Sequence, residues 1–219
     1  NAQLASVYFV DESRGWIVGG WWNTGLILHT TDGGQRWREQ SRVSEQLYDV
    51  CFISVNKGWA AGMDGLIVHT TDGGATWQEQ DSDISADLYA VHFANAQAGW
   101  VVGEYGVILH TVDGGRTWQL QVSGVTRTIY DVFFVSVDEG WAVGGESYDD
   151  AYILHTTDGG ATWSPQVSRS EYGLQGICFV DKDHGWAVGS GGIIRRYSTL
   201  LPPMPYHCYL PLVLKLHKR

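Results

Sequence analysis

The chain has 219 residues, of which 44% are apolar and 17% charged, and its formal net charge is −10. That length suits one ordinary domain. The acidic balance argues against nucleic acid as the main partner, because affinity for phosphate rests on basic residues that release counterions. No run approaches the ~20 apolar residues that a membrane-crossing helix needs. Charge is unevenly placed: residues 1–194 hold all 24 carboxylates and nine of the 14 Lys and Arg, whereas residues 195–219 hold five bases and no acid. Eleven Trp, eleven Tyr and 28 Gly point to many short strands punctuated by turns.

Gly-Trp recurs at 15–16, 58–59, 99–100, 140–141 and 185–186, so the chain is built from units of 41 to 45 residues. The first unit has an enlarged loop after its Gly-Trp segment, carrying Trp21, Trp22, Asn23 and Thr24, and then reads TTDGGQRW at 30–37. The second reads LYDVCF, GWAAG, LIVHT and TTDGGATW, with Asp72 and Trp77 at the heart of the last segment. The third gives the clearest strand pattern: A over 88–93 (LYAVHF), B over 99–103 (GWVVG), C over 106–111 (GVILHT) and D over 117–121 (TWQLQ). The fourth repeats TTDGGATW at 156–163 and enlarges its own B–C loop with Glu146, Ser147, Tyr148, Asp149 and Asp150. The fifth keeps A, B and C but continues as RRYSTLLPPMP, without DGG or Trp.

Four short strand patterns repeated at a period near 42 predict a β-propeller of four-stranded antiparallel blades. Five blades are expected over 1–198, either as a closed ring or as a piece of a larger one. Residues 199–219 form a Pro-rich joint and an apolar, basic tail. Within it, 206–216 (YHCYLPLVLKL) has the pattern of a strand able to complete the fifth blade or to pair with another chain.

The octapeptide has a sufficient structural role. Asp-Gly-Gly between two strands is a hairpin signal, since Gly tolerates positive φ and Asp bonds back to its own turn. The Trp that follows can cover the turn. Asp32 with Trp37, Asp72 with Trp77, Asp113 with Trp118 and Asp158 with Trp163 are therefore read as fold elements, not as a dispersed catalytic site. His29, His69, His110 and His155 share one strand position in four blades, so they do not converge on one metal. No pattern calls for a cofactor or a metal. Cys51, Cys178 and Cys208 make neither a disulfide framework nor a zinc motif. Cys51 and Cys178 occupy equivalent places and read as buried small side chains, while pairing of Cys208 with either stays open.

Thr70, Asp72, Gly74, Thr76 and Trp77 match the T-x-D-x-G-x-T-W pattern of the Asp-box, or bacterial neuraminidase repeat. The third and fourth units match it too, and the first departs from it at Arg36. The longer phrase GW-x-x-G…ILHTTDGG-x-TW resembles the photosystem II assembly-factor branch of Asp-box propellers, over residues 4–198. The resemblance implies a non-catalytic protein-interaction or assembly scaffold, of a kind common among secreted and cell-surface proteins, and hence an extracytoplasmic location. Its relatives bind their partner through a basic patch, which this acidic body lacks. Sialidases share the box but add an arginine triad and an F/Y-R-I/L-P segment that are missing here.

The turns shared by all units fall on one face, leaving the B–C and D–A loops on the other. Trp21 and Trp22 are the tryptophans that the repeat does not account for. Variable loops on a rigid scaffold commonly carry function. The candidate binding residues are therefore Trp21, Trp22, Asn23, Tyr105, Glu146, Tyr148, Asp149 and Asp150, with Arg127, Arg169 and Tyr172 as additions. Two other readings stand beside this one. The first is a glycoside hydrolase or carbohydrate-binding propeller using acidic and aromatic loops, in which Asp64 and Glu104 join the acids above. The second is a structural subunit of a surface assembly that self-associates through 206–216.

Overall fold

The computed structural model describes residues 2–145, 151–166 and 172–198. The first sheet is formed by β1 (Gln3–Phe9), β2 (Gly15–Gly20), β3 (Gly25–Thr30) and β4 (Arg38–Val43). The second has β5 (Leu47–Phe52), β6 (Gly58–Gly62), β7 (Ile67–Thr70) and β8 (Gln78–Gln80). The third has β9 (Leu88–Phe93), β10 (Gly99–Gly103), β11 (Ile108–Thr111) and β12 (Gln119–Gln121). The fourth has β13 (Ile129–Phe134), β14 (Gly140–Gly144), β15 (Tyr152–Thr156) and β16 (Ser164–Gln166). Three strands make the fifth: β17 (Leu174–Asp181), β18 (His184–Gly189) and β19 (Ile193–Ser198).

Each sheet is an antiparallel meander in chain order, and the fold is an all-β propeller of five blades. Strands β1, β5, β9, β13 and β17 pack side by side in succession and stand innermost. The five Gly-Trp pairs have a steric reason. Phe9, Phe52, Phe93, Phe134 and Phe179 each sit opposite the Gly of their own blade. A Cβ on any of those glycines would collide with the Phe ring. The next residue, Trp16, Trp59, Trp100 or Trp141, is almost wholly buried and stacks on the Phe of the following blade. The ring centroids lie 3.7, 3.5, 3.4 and 3.8 Å apart at the four junctions.

Half-buried carboxylates reinforce these junctions near the axis. Asp49 accepts from the Ser6 hydroxyl at 2.7 Å and from the Val91 N–H at 3.0 Å, tying three blades together. Asp131 accepts from the Ile177 N–H at 2.7 Å. Burial pushes both carboxyls up, that of Asp131 to about 7.

No comparable packing joins β17 to β1 among the described residues. Leu4, Val7 and Phe9 are 51, 55 and 42% exposed, whereas Leu47, Val50 and Phe52, their equivalents in the second blade, are 2% exposed or less. At the other end Trp186, Val188 and Ile194 are 40, 45 and 61% exposed. Among the described residues the five blades thus form an arc with two uncovered apolar ends. This corrects the expectation for the cysteines. Cys51 is buried, with its thiol pushed up to about 12 chiefly by that burial, but Cys178 lies on an uncovered end and is exposed. Cys208 and the tail segment 206–216 lie outside the described residues.

Candidate functional site

The box turns form one face of the arc. Thr70 Oγ1 donates to Asp72 Oδ1 at 2.8 Å and accepts from the Gly74 N–H at 2.8 Å. Asp72 then accepts from the Thr76 N–H at 2.9 Å and the Thr76 hydroxyl at 2.6 Å. The Asp113 and Asp158 turns repeat this set of bonds. Asp32 keeps the backbone bond to Arg36 at 2.9 Å, but Arg36 supplies no hydroxyl. Hydrogen bonds from Thr76 and Thr162 hold the Asp72 and Asp158 carboxyls down near about 2, and the Thr117 backbone and hydroxyl do the same for Asp113. Every box aspartate is thus engaged within its own turn.

The box also reaches out of its blade. The Gly73 carbonyl accepts from Trp16 Nε1 at 3.2 Å and from Gln40 Nε2 at 2.9 Å, both in the preceding blade. Gly114 receives Trp59 and Gln80, and Gly159 receives Trp100 and Gln121, in the same way. Trp37, Trp77, Trp118 and Trp163 meet the Phe of their own blade edge-on, with centroids 5.8 to 6.0 Å apart. The four repeated histidines stack on the Trp of their own blade at 4.7 to 4.8 Å. Among them His29 and His69 leave Nε2 buried without a hydrogen bond, so ring stacking rather than a polar contact places these side chains. Burial lowers His69 to about 4, which suits a neutral ring.

The opposite face carries the B–C and D–A loops. Trp21 and Trp22 are 61 and 64% exposed in a tight turn closed by Trp21 N–H to Thr24 carbonyl at 2.9 Å and Thr24 N–H to Trp21 carbonyl at 3.1 Å. Asn23 is exposed at the tip of the same turn. The Gln46 N–H donates to the Trp22 carbonyl at 3.1 Å and anchors the turn to the next D–A loop. Trp21, with Ala2, Gly20, Thr24, Leu26 and Arg42, lines a shallow hollow of about 390 Å³. Tyr105, in the short turn Glu104–Gly106, is 73% exposed.

Trp22 and Tyr105 adopt φ of 44° and 57°. Bulky side chains rarely enter this left-handed region, and the fifth blade has Gly191 where the third has Tyr105. Holding such residues there costs on the order of 1 kcal/mol or more. Folding alone gives no reason to place large aromatic rings at those two turns. Glu146, Tyr148, Asp149, Asp150 and Arg169 lie outside the described residues.

The inner strands also bring a row of rings together. Tyr48, Tyr89 and Tyr130 hold the second position of three consecutive inner strands, with centroids 5.1 and 5.6 Å apart. The Tyr48 hydroxyl donates to Asp87 at 3.0 Å, and Asp87 also accepts from the Asp64 N–H at 3.1 Å. Glu104 accepts from the Asp87 N–H at 3.4 Å. Burial and Asp87 both push the Tyr48 hydroxyl up. The recurrent Leu-Tyr or Ile-Tyr at the start of the second, third and fourth A strands was the available signal, but it marks contact only once successive strands lie side by side. Among the described residues no cluster of three or more His, Cys, Asp or Glu could hold a metal. No helix there is long and apolar enough to cross a membrane.

Known structures place this geometry. A YCF48 structure described as bound to D1 peptide is 20% identical, with 90% of this chain and 94% of that one covered and a TM-score of 0.51. An ancestral GH74 enzyme aligns at 14% identity over 85% of this chain but 27% of its own, with a TM-score of 0.69. The WD40 propeller domain of Doa1 aligns at 15% identity over 90% of this chain and 66% of its own, with a TM-score of 0.67. At these identities the likeness concerns the fold. No curated protein matches the sequence significantly. The family model described as photosynthesis system II assembly factor YCF48 matches residues 1–79 and 40–124, more than half of the chain together, and to that family the chain belongs.

Proposed function

We infer that this protein is a non-enzymatic, protein-binding assembly propeller whose B–C and D–A loop face takes a polypeptide segment. The observation that carries the reading is the pair of exposed aromatic residues, Trp22 and Tyr105, whose large rings the fold does not require at their left-handed turns. The tyrosine row beside them adds further aromatic surface. Family membership supports a protein partner, and the related YCF48 described as bound to D1 peptide supports a peptide-like one. Asp64, Asp83, Asp87 and Glu104 make this face acidic, which favours a cationic segment over an anionic one. The test is a fluorescence titration with arginine-rich and glutamate-rich peptides of equal length. Binding of the cationic set, lost in a Trp21→Ala, Trp22→Ala, Tyr105→Ala variant, is the expected outcome. Undiminished binding by that variant, or binding by neither set, would sink the reading.

The non-catalytic part rests on the box aspartates, each bound inside its own turn. The glycosidase alternative has only fold likeness to GH74 behind it and is not adopted. A location outside the cytoplasm follows from the resemblance to secreted Asp-box proteins, and cell fractionation tests it. A second reading has one observation in its favour. β19 is an edge strand of a three-stranded sheet, which leaves room for strand addition by 206–216. Deleting 199–219 should then change the oligomer mass or stability, and no change in either refutes that role.

A further inference from the structure

Each of the four blade junctions within the chain is made from the same parts. The earlier blade offers a Trp ring and, beside it, a small aliphatic residue and an Ile, as in Trp59, Ala61 and Ile67. The later blade offers Leu or Ile, then Val or Ile, then Phe from its inner strand, as in Leu88, Val91 and Phe93. Where the later blade has a box, the carbonyl of its first glycine takes the indole N–H.

Both halves of a fifth junction exist on this molecule, and they are apart. The first blade shows Leu4, Val7 and Phe9 to solvent, and the Gly33 carbonyl, equivalent to that of Gly73, meets no indole among the described residues. The fifth blade shows Trp186, Val188 and Ile194, the equivalents of Trp59, Ala61 and Ile67. Large contiguous apolar faces of this kind mark association surfaces.

We propose that these faces are the two sides of one interface and that the occupant of each is a second copy of this chain. Trp186 of one copy stacks on Phe9 of the other and donates its indole N–H to the Gly33 carbonyl. The surfaces differ, so the contact is heterologous: two copies that make both junctions close into a ring of ten sheets, and copies that make one junction each run on. The proposal does not depend on the loop-face reading, because neither face includes those loops.

Sedimentation of the full 219-residue chain over a range of concentrations tests it. The native chain should associate as concentration rises. Val7→Glu blocks one face and Trp186→Glu the other, and both sites are exposed, so an unchanged far-ultraviolet spectrum and a cooperative thermal melt should confirm that each variant folds. Ile194→Glu replaces Trp186→Glu if the latter does not. Each variant alone should stay monomeric. An equimolar mixture should form a one-to-one pair of twice the monomer mass and nothing larger, because one live junction remains. Three outcomes would overturn the proposal. One is a native chain that is monomeric at every concentration, its faces covered by residues 199–219 or left bare. Another is a single variant that still self-associates, as a face-to-itself or tail-mediated contact would allow. The last is a mixture that remains monomeric.

Discussion

The junction between the third and fourth blades and the one between the fourth and fifth are built on the same Trp-over-Phe stack, yet they differ in their polar half. In the first, Trp100 lies 3.4 Å over Phe134, and its indole donates to the Gly159 carbonyl at 3.0 Å. In the second, Trp141 lies 3.8 Å over Phe179, but the fifth blade has no box and Trp141 Nε1 is buried without a hydrogen bond among the described residues. Tyr197 takes the place beside Phe179 that Trp163 holds beside Phe134, tilted by 58° at 5.4 Å where Trp163 is edge-on at 5.9 Å. The octapeptide is therefore more than a hairpin fastener. It supplies the acceptor that satisfies the indole of the preceding blade, and a blade without it leaves its neighbour with an unpaired buried donor.

This contrast can be broken by mutation. Trp100→Ala should destabilise the protein most, by about 3–5 kcal/mol in denaturant unfolding. Trp141→Ala should cost about 1 kcal/mol less, since no hydrogen bond is lost with it. Equal costs at the two sites would mean that the box carbonyl adds nothing to a junction.

Phenylalanine isolates the polar part. Trp100→Phe should cost about 1 kcal/mol more than Trp141→Phe, because only the first removes a made bond and only the second removes an unsatisfied donor. Thermal melts of the two variants at one pH give the comparison directly.

Titration separates the axis from the box face. Burial raises the folded-state pKa of Asp131 to about 7, so the folded state keeps a proton that the unfolded chain, near 4, has released. This contribution to stability is complete below pH 4 and is lost as pH rises towards 7. The box carboxyls of Asp72, Asp113 and Asp158 are lowered to about 2, so theirs is present above pH 4 and lost as pH falls towards 2. Melting temperature across pH 2–8 should fall on the acid side, and Asp131→Asn should flatten the decline between pH 4 and 7. A variant whose profile there is as steep as that of the native chain would show that another group is responsible.

The smallest effect belongs to the loop face. Tyr105→Gly should raise stability by up to about 1 kcal/mol, since Gly accepts φ of 57° without strain, whereas Tyr105→Ala should not. Loss of cationic-peptide binding in both variants, with stability raised only by Gly, would separate the ring's role from the backbone's.

Local patterns were legible where one blade contains the whole cause. Strands predicted over 88–93 and 99–103 coincide with Leu88–Phe93 and Gly99–Gly103, because alternation and a Gly under a Phe act across one hairpin. The predicted C and D strands over 106–111 and 117–121 shorten to Ile108–Thr111 and Gln119–Gln121. The turn Glu104–Gly106 takes one end, and the box bonds hold Thr117 outside the ladder. Trp21 and Trp22 were legible as departures from the repeat, and the tyrosine row was not.

The sequence by itself determined the repeat, the number of blades, the antiparallel hairpins and the box turns, since each depends on residues a few positions apart. Only the tertiary structure decided which carbonyl receives Trp100, 59 residues away, which tyrosines meet, and that the end blades do not cover each other. Those contacts pass between sheets, and their geometry follows from how the blades stack around the axis. The order of residues within one blade carries no record of that stacking.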